Sequence, residues 1–332
     1  MSNINLAIIG SWGFHATEFV LNNRKVSGCN MVAAWDKDPV SGRKWAESLD
    51  LRFEEDYQCI LDDPTIDGVI ITSETRDHAE KTIQAARAGK AVFVEKAPML
   101  SAEEALRVKN AVDESGILYV FSDPILKGEA KYLKQMADEG LFGQITMMHV
   151  RYAHAKGLDG SLPDHFYNLE EAGGGVTLDV GCHGIHMLQW FLGPAKRCNA
   201  IYGFVTNKSK KSGVEDNSAV TYLFDNGAIG ISQSSWAAGG KQGGLDIYGT
   251  KGCARMFGGT IHYCLEDGIW KTVPKEDIPI DSPKPMDMWL DSLINGNVYT
   301  HYHVDEAVTL TNMIEAAIEA SADLGFILRG AL

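Results

Sequence analysis

From Asn5 to about Phe121, short apolar runs alternate with amphipathic stretches. Between the third and fourth runs, residues 78–87 carry Ala and Ile at helical spacing, and Gly89 follows as a helix stop. The five runs, each long enough for a strand, are LAIIG (6–10), MVAAWD (31–36), GVIIT (68–72), AVFVEK (91–96) and LYVF (118–121). Strands that alternate with helices in this way predict an α/β unit with an open, doubly wound parallel sheet.

After Asp123 the pattern changes. Strand-like runs with alternating polarity, such as ITMMHVRYAH, AVTYLF, AIGISQSSW and GLDIYG, are separated by turn residues. We expect helices at residues 129–138, 177–190 and 304–322, and an exposed loop at 275–285. The sequence therefore predicts a Rossmann-type domain at 1–122 and an α+β domain with a large, mainly antiparallel sheet at 123–332. The helix at 304–322 is a candidate to pack back on the first domain.

Charge and cysteine content exclude several classes of function. The 44 acidic and 30 basic side chains give a formal net charge of -14, which disfavours binding to nucleic acid or to an anionic membrane. The six cysteines form no CxxC pair, so neither a zinc ribbon nor a disulfide framework is indicated. We find no secretory signal and no apolar run long enough to span a bilayer. We expect a cytoplasmic protein.

The loop after the first apolar run is a candidate phosphate-binding turn. A strict G-x-G-x-x-G pattern would need glycine at positions 12 and 15, so an ordinary strand-to-helix turn remains an alternative. Asp36 ends the second run about 20 residues further on, where a carboxylate binds the ribose diol of NAD. NAD is therefore favoured over NADP, although Lys37 and Lys44 keep NADP open. The candidate loop residues are Gly10, Ser11, Trp12, Gly13, Phe14 and His15.

Two further motifs carry candidate catalytic groups. Lys96 ends the fourth run, at the edge where parallel sheets bind ligands, and its alternative is a surface lysine paired with Glu95. In GGGVTLDVGCH, Asp179 and His183 are four residues apart and share a helix face, which suits a histidine base beside a carboxylate. His186 adds a third polar group, but no ligand set for a metal is completed, so no metal is expected.

Together these motifs resemble the glucose-fructose oxidoreductase / inositol dehydrogenase / MocA family. The resemblance follows LAIIGSWG, DGVIITSETRDHAEKTIQAARAGKAVFVEKAP, EGLFGQITMMHVRYAH, GGGVTLDVGCHGIHMLQWFLG and the pair DNGAIGISQSSW and DIYGTKG. It implies an NAD(P)-dependent oxidoreductase in which Lys96 and His183 flank the reacting carbinol, with Asp179 binding substrate or orienting His183. It also implies that the nicotinamide side of the cleft is lined by Thr72, Ser73, His78, Glu95 and Lys96.

The expected reaction is hydride transfer between nicotinamide and a secondary alcohol of a small, polyhydroxylated sugar or cyclitol. The polar segment at 154–168 offers substrate contacts, or else is a loop that only covers the site, and Trp236 either faces a sugar ring or lies in the core. The substrate candidates in this segment are His154, Lys156, Asp164, His165 and Tyr167.

Two other functions stay open at this point. An enzyme that retains NAD could oxidise a sugar only transiently, for glycoside cleavage or epimerisation. A non-catalytic sensor of dinucleotide or sugar is the third possibility. Because an antiparallel sheet with one uncovered face is a liability in solution, a homodimer or homotetramer through the C-terminal sheet is expected.

Overall fold

The structure, a computed structural model, describes residues 3–240 and 242–322. It divides into two compact units, each described by itself below. Among the described residues, the first contains 3–124, Glu170–Gly173 and Pro283–Thr311; the second contains 125–169, 174–240, 242–282 and 312–322. Each unit is built from several separate stretches of chain. The predicted division of the chain into two domains at residue 122 stays a prediction.

The first unit has a six-stranded parallel sheet in the order β3-β2-β1-β4-β5-β6. The strands are β1 (Ile4–Ile9), β2 (Cys29–Trp35), β3 (Arg52–Glu54), β4 (Gly68–Ile71), β5 (Ala91–Val94) and β6 (Tyr119–Phe121). The helices are α1 (Ala16–Asn23), α2 (Pro39–Ser48), α3 (Tyr57–Asp62), α4 (His78–Arg87) and α5 (Ala102–Ser115). This confirms the predicted doubly wound sheet.

One strand of this sheet was missed by the sequence prediction, which counted five. β3 is three residues long, lies at the sheet edge and carries the ion-paired side chains of Arg52 and Glu54. It therefore lacks the apolar run that marks a buried strand. By contrast, every residue of β4 and β5 is buried, as expected for central parallel strands covered on both faces.

The second unit has an eight-stranded sheet in the order β14-β13-β12-β11-β7-β10-β9-β8. All neighbouring pairs are antiparallel except β10 and β7, so the predicted mainly antiparallel sheet is confirmed. Its strands are β7 (Ile145–Ala153), β8 (Ala195–Gly203), β9 (Asn217–Phe224), β10 (Ile229–Ser235), β11 (Gln242–Gly249), β12 (Cys253–Phe257), β13 (Thr260–Cys264) and β14 (Trp270–Thr272). Helices α6 (Gly128–Asp138), α7 (Lys156–Asp159), α8 (Leu169–Ala172), α9 (Cys182–Leu192) and α10 (Asn207–Ser212) lie along this stretch of chain.

Helix α9 packs on one face of this sheet, against β7 and β10. Side chains on that face are buried, among them Val150 and Leu245, which pair across β7 and β11. At Gly184 an added Cβ would lie 2.4 Å from Oγ of Ser232. A glycine at this position therefore lets the helix backbone approach the sheet without displacing the Ser232 hydroxyl.

The region predicted as one helix at 177–190 differs in its first turn. Residues Thr177–Gly181 form a π-helical turn that runs directly into α9. Four residues of regular α-helix would place Asp179 and His183 on one face, and the wider π-turn changes the angle between the two side chains. Single π-helical turns of this kind are frequent at functional sites.

The exposed loop predicted at 275–285 ends at a helix that was not predicted, α11 (Pro285–Asn295). Proline at its first position starts the helix without losing a hydrogen bond. Within the first unit Trp289 is fully buried and its ring centroid lies 5.8 Å from that of Phe93 on β5. The final helix, α12 (Val304–Ala322), agrees with the predicted bounds. None of the helices in the described residues is both long and apolar enough to cross a bilayer.

Candidate active site

In the first unit the loop after β1 packs directly against the end of β4. Gly10 has a φ of +94°, and a Cβ there would lie 2.4 Å from Cα of Ser73. The backbone N–H of Gly13 donates to the carbonyl of Thr72 at 2.7 Å, and Oγ1 of Thr72 donates to the carbonyl of Gly10 at 2.6 Å. Only glycine permits this approach at position 10. The loop is therefore held at the carboxyl edge of the sheet, in front of α1.

Asp36, at the end of β2, is fixed by the same loop. Its Oδ2 accepts hydrogen bonds from the backbone N–H and from Oγ of Ser11, each at 2.7 Å. Its Oδ1 accepts from the backbone N–H of Asp38 at 2.9 Å. A Cβ on Gly42 would lie 2.4 Å from Cβ of Asp36, so a glycine in α2 makes room for it. The carboxylate is thus held where a ribose diol is bound in dinucleotide folds.

Lys37, which kept NADP open in the sequence, is paired with carboxylates. Its Nζ lies 3.2 Å from Oδ2 of Asp77 and 3.7 Å from Oε1 of Glu74. Burial raises the pKa of the Glu74 carboxyl, while the Lys37 charge counteracts part of that shift. The positive charge of Lys37 is therefore already paired with carboxylates of the protein.

The residues predicted to line the nicotinamide side hold the loops together. Thr72, Ser73 and His78 are almost fully buried. The two ring nitrogens of His78 lie 2.8 Å from the carbonyl of Ala97 and 3.1 Å from that of Ser73, and burial lowers its pKa. The His78 ring thus joins the loops after β4 and β5 and is enclosed by protein, and its place on the nicotinamide side of the cleft stays a prediction.

Glu95 and His15 form a part-buried pair beside Lys96. Nδ1 of His15 lies 3.2 Å from Oε1 of Glu95, whose side chain is only 7% exposed. Oε2 of Glu95 accepts from the backbone N–H of Lys96 at 3.0 Å, and Oγ of Ser122 lies 3.4 Å from Oε1. The Glu95 carboxylate is thus engaged with His15 and with backbone. Lys96 itself is half-buried at the carboxyl end of β5.

In the second unit, Asp179 lies on the π-turn and is tied to the sheet. The indole N–H of Trp236 donates to Oδ2 of Asp179 at 2.8 Å, and Trp236 is fully buried. Trp236 therefore belongs to the core, as its alternative interpretation held. The sequence does not indicate that Trp236 bonds to Asp179, because the two residues are far apart along the chain.

His183 is half-buried on the first turn of α9, and its ring centroid lies 5.5 Å from that of Tyr152 on β7. His186, one turn further on, is only 2% exposed, so it points into the core. The start of the π-turn is held by Glu215, whose Oε1 accepts from the backbone N–H of Thr177 at 3.1 Å. Tyr152 and Glu215 were not predicted as functional residues.

The polar segment at 154–168 is only partly exposed to solvent. Tyr167 is 8% exposed, and its ring packs edge-on against Trp236 at 5.5 Å. His154 is half-buried, and its Nδ1 accepts from the backbone N–H of Lys156 at 3.3 Å. Asp164, with its side chain 87% exposed, pairs with Lys208. Tyr167, Trp236 and Asp179 therefore form one cluster, which Asp164 does not join.

His165 is the remaining candidate in this segment. Its ring centroid lies 5.0 Å from that of Phe166, and the residue is half-buried. Among the substrate candidates, His154, Lys156 and His165 are thus accessible in part, and Tyr167 is mainly a packing residue. Phe14, at the other end of the chain, is 55% exposed on the phosphate loop.

Residues 4–122 match the family described as "Oxidoreductase family, NAD-binding Rossmann fold", and residues 130–255 match the "GFO/IDH/MocA C-terminal domain". The chain belongs to the GFO/IDH/MocA family. The resemblance inferred from its motifs is thereby confirmed, and with it an NAD-binding Rossmann domain and an oxidoreductase function.

Named relatives within this family act on polyols and sugars. The chain is 29% identical over 261 residues to scyllo-inositol 2-dehydrogenase (NAD(+)) of Bacillus subtilis (strain 168), which covers 75% of this chain and 71% of that one. It is 26% identical to 1,5-anhydro-D-fructose reductase of Ensifer adhaerens, with 71% of each covered. A structure of levoglucosan dehydrogenase with NADH and levoglucosan has the same fold, with a TM-score of 0.80, 21% identity, and 97% and 98% of the chains covered.

The residues of this family member fit an NAD molecule at the first unit. The turn at Gly10 and Gly13 brings the backbone close to β4, and α1 begins without a side-chain cap at His15. Such a helix start, with its outward N–H groups, suits a pyrophosphate. Asp36 would hold the adenosine ribose. The backbone of the loop at 10–15 would therefore contact the pyrophosphate, and this stays a prediction.

The His15–Glu95 pair gives a pH dependence with a definite sign. The hydrogen bond to Glu95 raises the pKa of His15, although burial of the ring opposes the shift. Burial alone would raise the pKa of Glu95, but His15 and Lys96 lower it on balance. The His15 contribution to stability is therefore present below about pH 6.5 and lost as the pH rises through the raised pKa.

We predict that NMR titration of His15 gives a pKa above the ordinary histidine value, and that Glu95→Gln lowers it because the carboxylate charge is removed. A His15→Asn variant identifies the resonance. An unchanged titration midpoint in Glu95→Gln would show that the two side chains are not coupled.

Proposed function

We propose that this chain is an NAD-dependent dehydrogenase that acts on a secondary alcohol, or the matching ketone, of a sugar, sugar derivative or cyclitol. The observation that carries the proposal is the presence of Lys96, Asp179 and His183 in a chain whose named relatives include inositol and sugar dehydrogenases. A dinucleotide sensor would not need such a proton-transfer set. Bound NAD supplies the hydride acceptor at its nicotinamide.

The side chains have distinct roles in this proposal. The Lys96 ammonium polarises the reacting oxygen, and an imidazole nitrogen of His183 takes the hydroxyl proton or returns it. Histidine suits this step because its ordinary pKa of about 6.5 lies near working pH. The hydrogen bond from Trp236 fixes one oxygen of Asp179, so that carboxylate binds a substrate hydroxyl or orients His183 from a defined position.

We propose that His154, Lys156 and His165 contact further substrate hydroxyls, with Tyr167 shaping the site through its packing on Trp236. The half-buried state of the first three supports contact. The solvent-facing ion pair of Asp164 with Lys208 argues for a supporting role of Asp164 at the segment surface.

NAD is preferred over NADP in this proposal. The Asp36 carboxylate would repel a 2′-phosphate, and the one lysine next to it in sequence, Lys37, is paired with Asp77 and Glu74. Placing the phosphate there would bring it close to three carboxylates. We also propose a cytoplasmic location, which the free thiols of all six cysteines support.

We predict that Lys96→Met and His183→Asn each lower kcat by about a hundredfold or more with a polyol substrate, because each removes a group that acts on the transferred proton. NADH formation is followed with a panel of inositols, aldoses and keto-sugars. His262→Asn on β13, outside the proposed site, is the matched control.

Each variant should bind NADH within about twofold of the wild-type Kd, a change under 1 kcal/mol, so that folding and cofactor binding are separated from chemistry. Near-normal turnover in both variants would rule out the catalytic assignment. Sugar turnover without net NADH would instead support the enzyme that retains NAD.

We further propose that two or four copies associate through the second unit's sheet. On its outer face Leu223, Ile229 and Met147 pair across three adjacent strands and are 38%, 43% and 36% exposed. Such a contiguous apolar row favours contact with a second copy.

We predict a dimer or tetramer in analytical ultracentrifugation at micromolar concentration, and dissociation on Ile229→Asp because the substitution would bury a charge in the interface. Ile280→Asp, at a position 88% exposed, is the control and should leave the assembly intact. A wild-type protein that sediments only as a monomer would contradict this proposal.

A further inference from the structure

A short segment from the middle of the chain belongs to the first unit. Residues Glu170–Gly173, here called the strap, are far in sequence from the parallel sheet but cluster with it. The strap directly precedes the glycines that lead to the π-turn. Its contacts within the first unit are what this inference rests on.

The first contact joins the strap to the phosphate loop. The indole N–H of Trp12 donates to Oε2 of Glu171 at 2.9 Å. Trp12 occupies the position of the second glycine in a strict dinucleotide pattern. Tryptophan has a single polar hydrogen, which only donates, and its acceptor here is a carboxylate. The bond is therefore of the stronger, charge-assisted kind.

Two more contacts join the strap to other loops of the same sheet edge. Nε of Arg76, in the 3-10 turn Thr75–Asp77 after β4, donates to the carbonyl of Glu170. Gly173 has a φ of +77°, and a Cβ there would lie 2.5 Å from Cδ1 of Leu100, in the loop after β5. The strap thus reaches the loops that follow β1, β4 and β5.

Open parallel sheets bind their ligands at these carboxyl-edge loops. A segment that is fastened to three of them crosses the edge where the dinucleotide is bound. We propose that the strap is a latch over the NAD site, and that Trp12 is a positioning residue which closes it by its bond to Glu171. This inference rests on the cofactor part of the proposed function and is independent of the sugar substrate.

In this role Trp12 donates a side-chain hydrogen bond that a glycine could not make. NAD exchange requires the Trp12–Glu171 bond to open, so the bond slows both entry and release. A residue that merely contacted NAD would slow release alone. The two cases therefore differ in the association rate constant as well as in the dissociation rate constant.

The test is stopped-flow fluorescence on the full chain, with NADH binding followed directly and NADH release followed by displacement with excess NAD. In Trp12→Phe, which keeps an aromatic ring but loses the N–H donor, both rate constants should rise about tenfold, the effect of about 1.4 kcal/mol, while Kd stays within about threefold. Glu171→Gln keeps an acceptor oxygen but loses the charge, so its two rate constants should lie between those of the wild type and those of Trp12→Phe.

Glu171→Ala, which removes the acceptor, should match Trp12→Phe and provides the test if the latter fails to fold. The double variant should be no faster than either single one. Unchanged rates in Trp12→Phe and Glu171→Ala overturn the latch, as does a faster release with unchanged association. Failure of the wild-type chain to bind NADH overturns the proposed function together with the latch.

Discussion

The first unit depends on the close contact between the loop after β1 and the end of β4. With Cβ absent at Gly10, the loop backbone lies against Ser73, and hydrogen bonds between Gly13 and Thr72 and between Thr72 and Gly10 close the contact. This contact sets where α1 begins and where Ser11 meets Asp36. A larger residue at position 10 would have to displace the backbone of Ser73 at the carboxyl edge of the sheet, so the loop that precedes α1 would move with it.

In the second unit, the candidate site depends on the contacts of the buried Trp236. Trp236 fills the core under the polar segment, packs against Tyr167 and donates its only polar hydrogen to Asp179. A buried indole N–H without a partner costs free energy. The bond to Asp179 satisfies this N–H and also fixes the orientation of the Asp179 carboxylate. The candidate chemistry is thus attached to the buried core of the unit.

The sequence predicts those elements of the structure that have a regular pattern of apolar residues. Long apolar runs and helical spacing located most of the parallel sheet and gave α4 and α12 their bounds, whereas the polar edge strand β3 and the helix α11 were missed. The π-turn at Asp179 was missed because composition does not distinguish one extra residue in a turn. The burial of His78 was not predicted because it depends on contacts with Ala97 and Ser73, which lie in two separate loops. The pairs Trp12–Glu171 and Asp179–Trp236 join residues distant in sequence, so no local pattern reveals them.

We propose that the carboxyl edge of the parallel sheet binds NAD and that Asp36 selects against a 2′-phosphate. Fluorescence titration of the purified chain with NADH and with NADPH tests this most directly, including a check for cofactor already bound. The account predicts saturable NADH binding that is about tenfold or more tighter than NADPH binding, a difference of at least about 1.4 kcal/mol. Absence of binding by both, or tighter binding of NADPH, would contradict it.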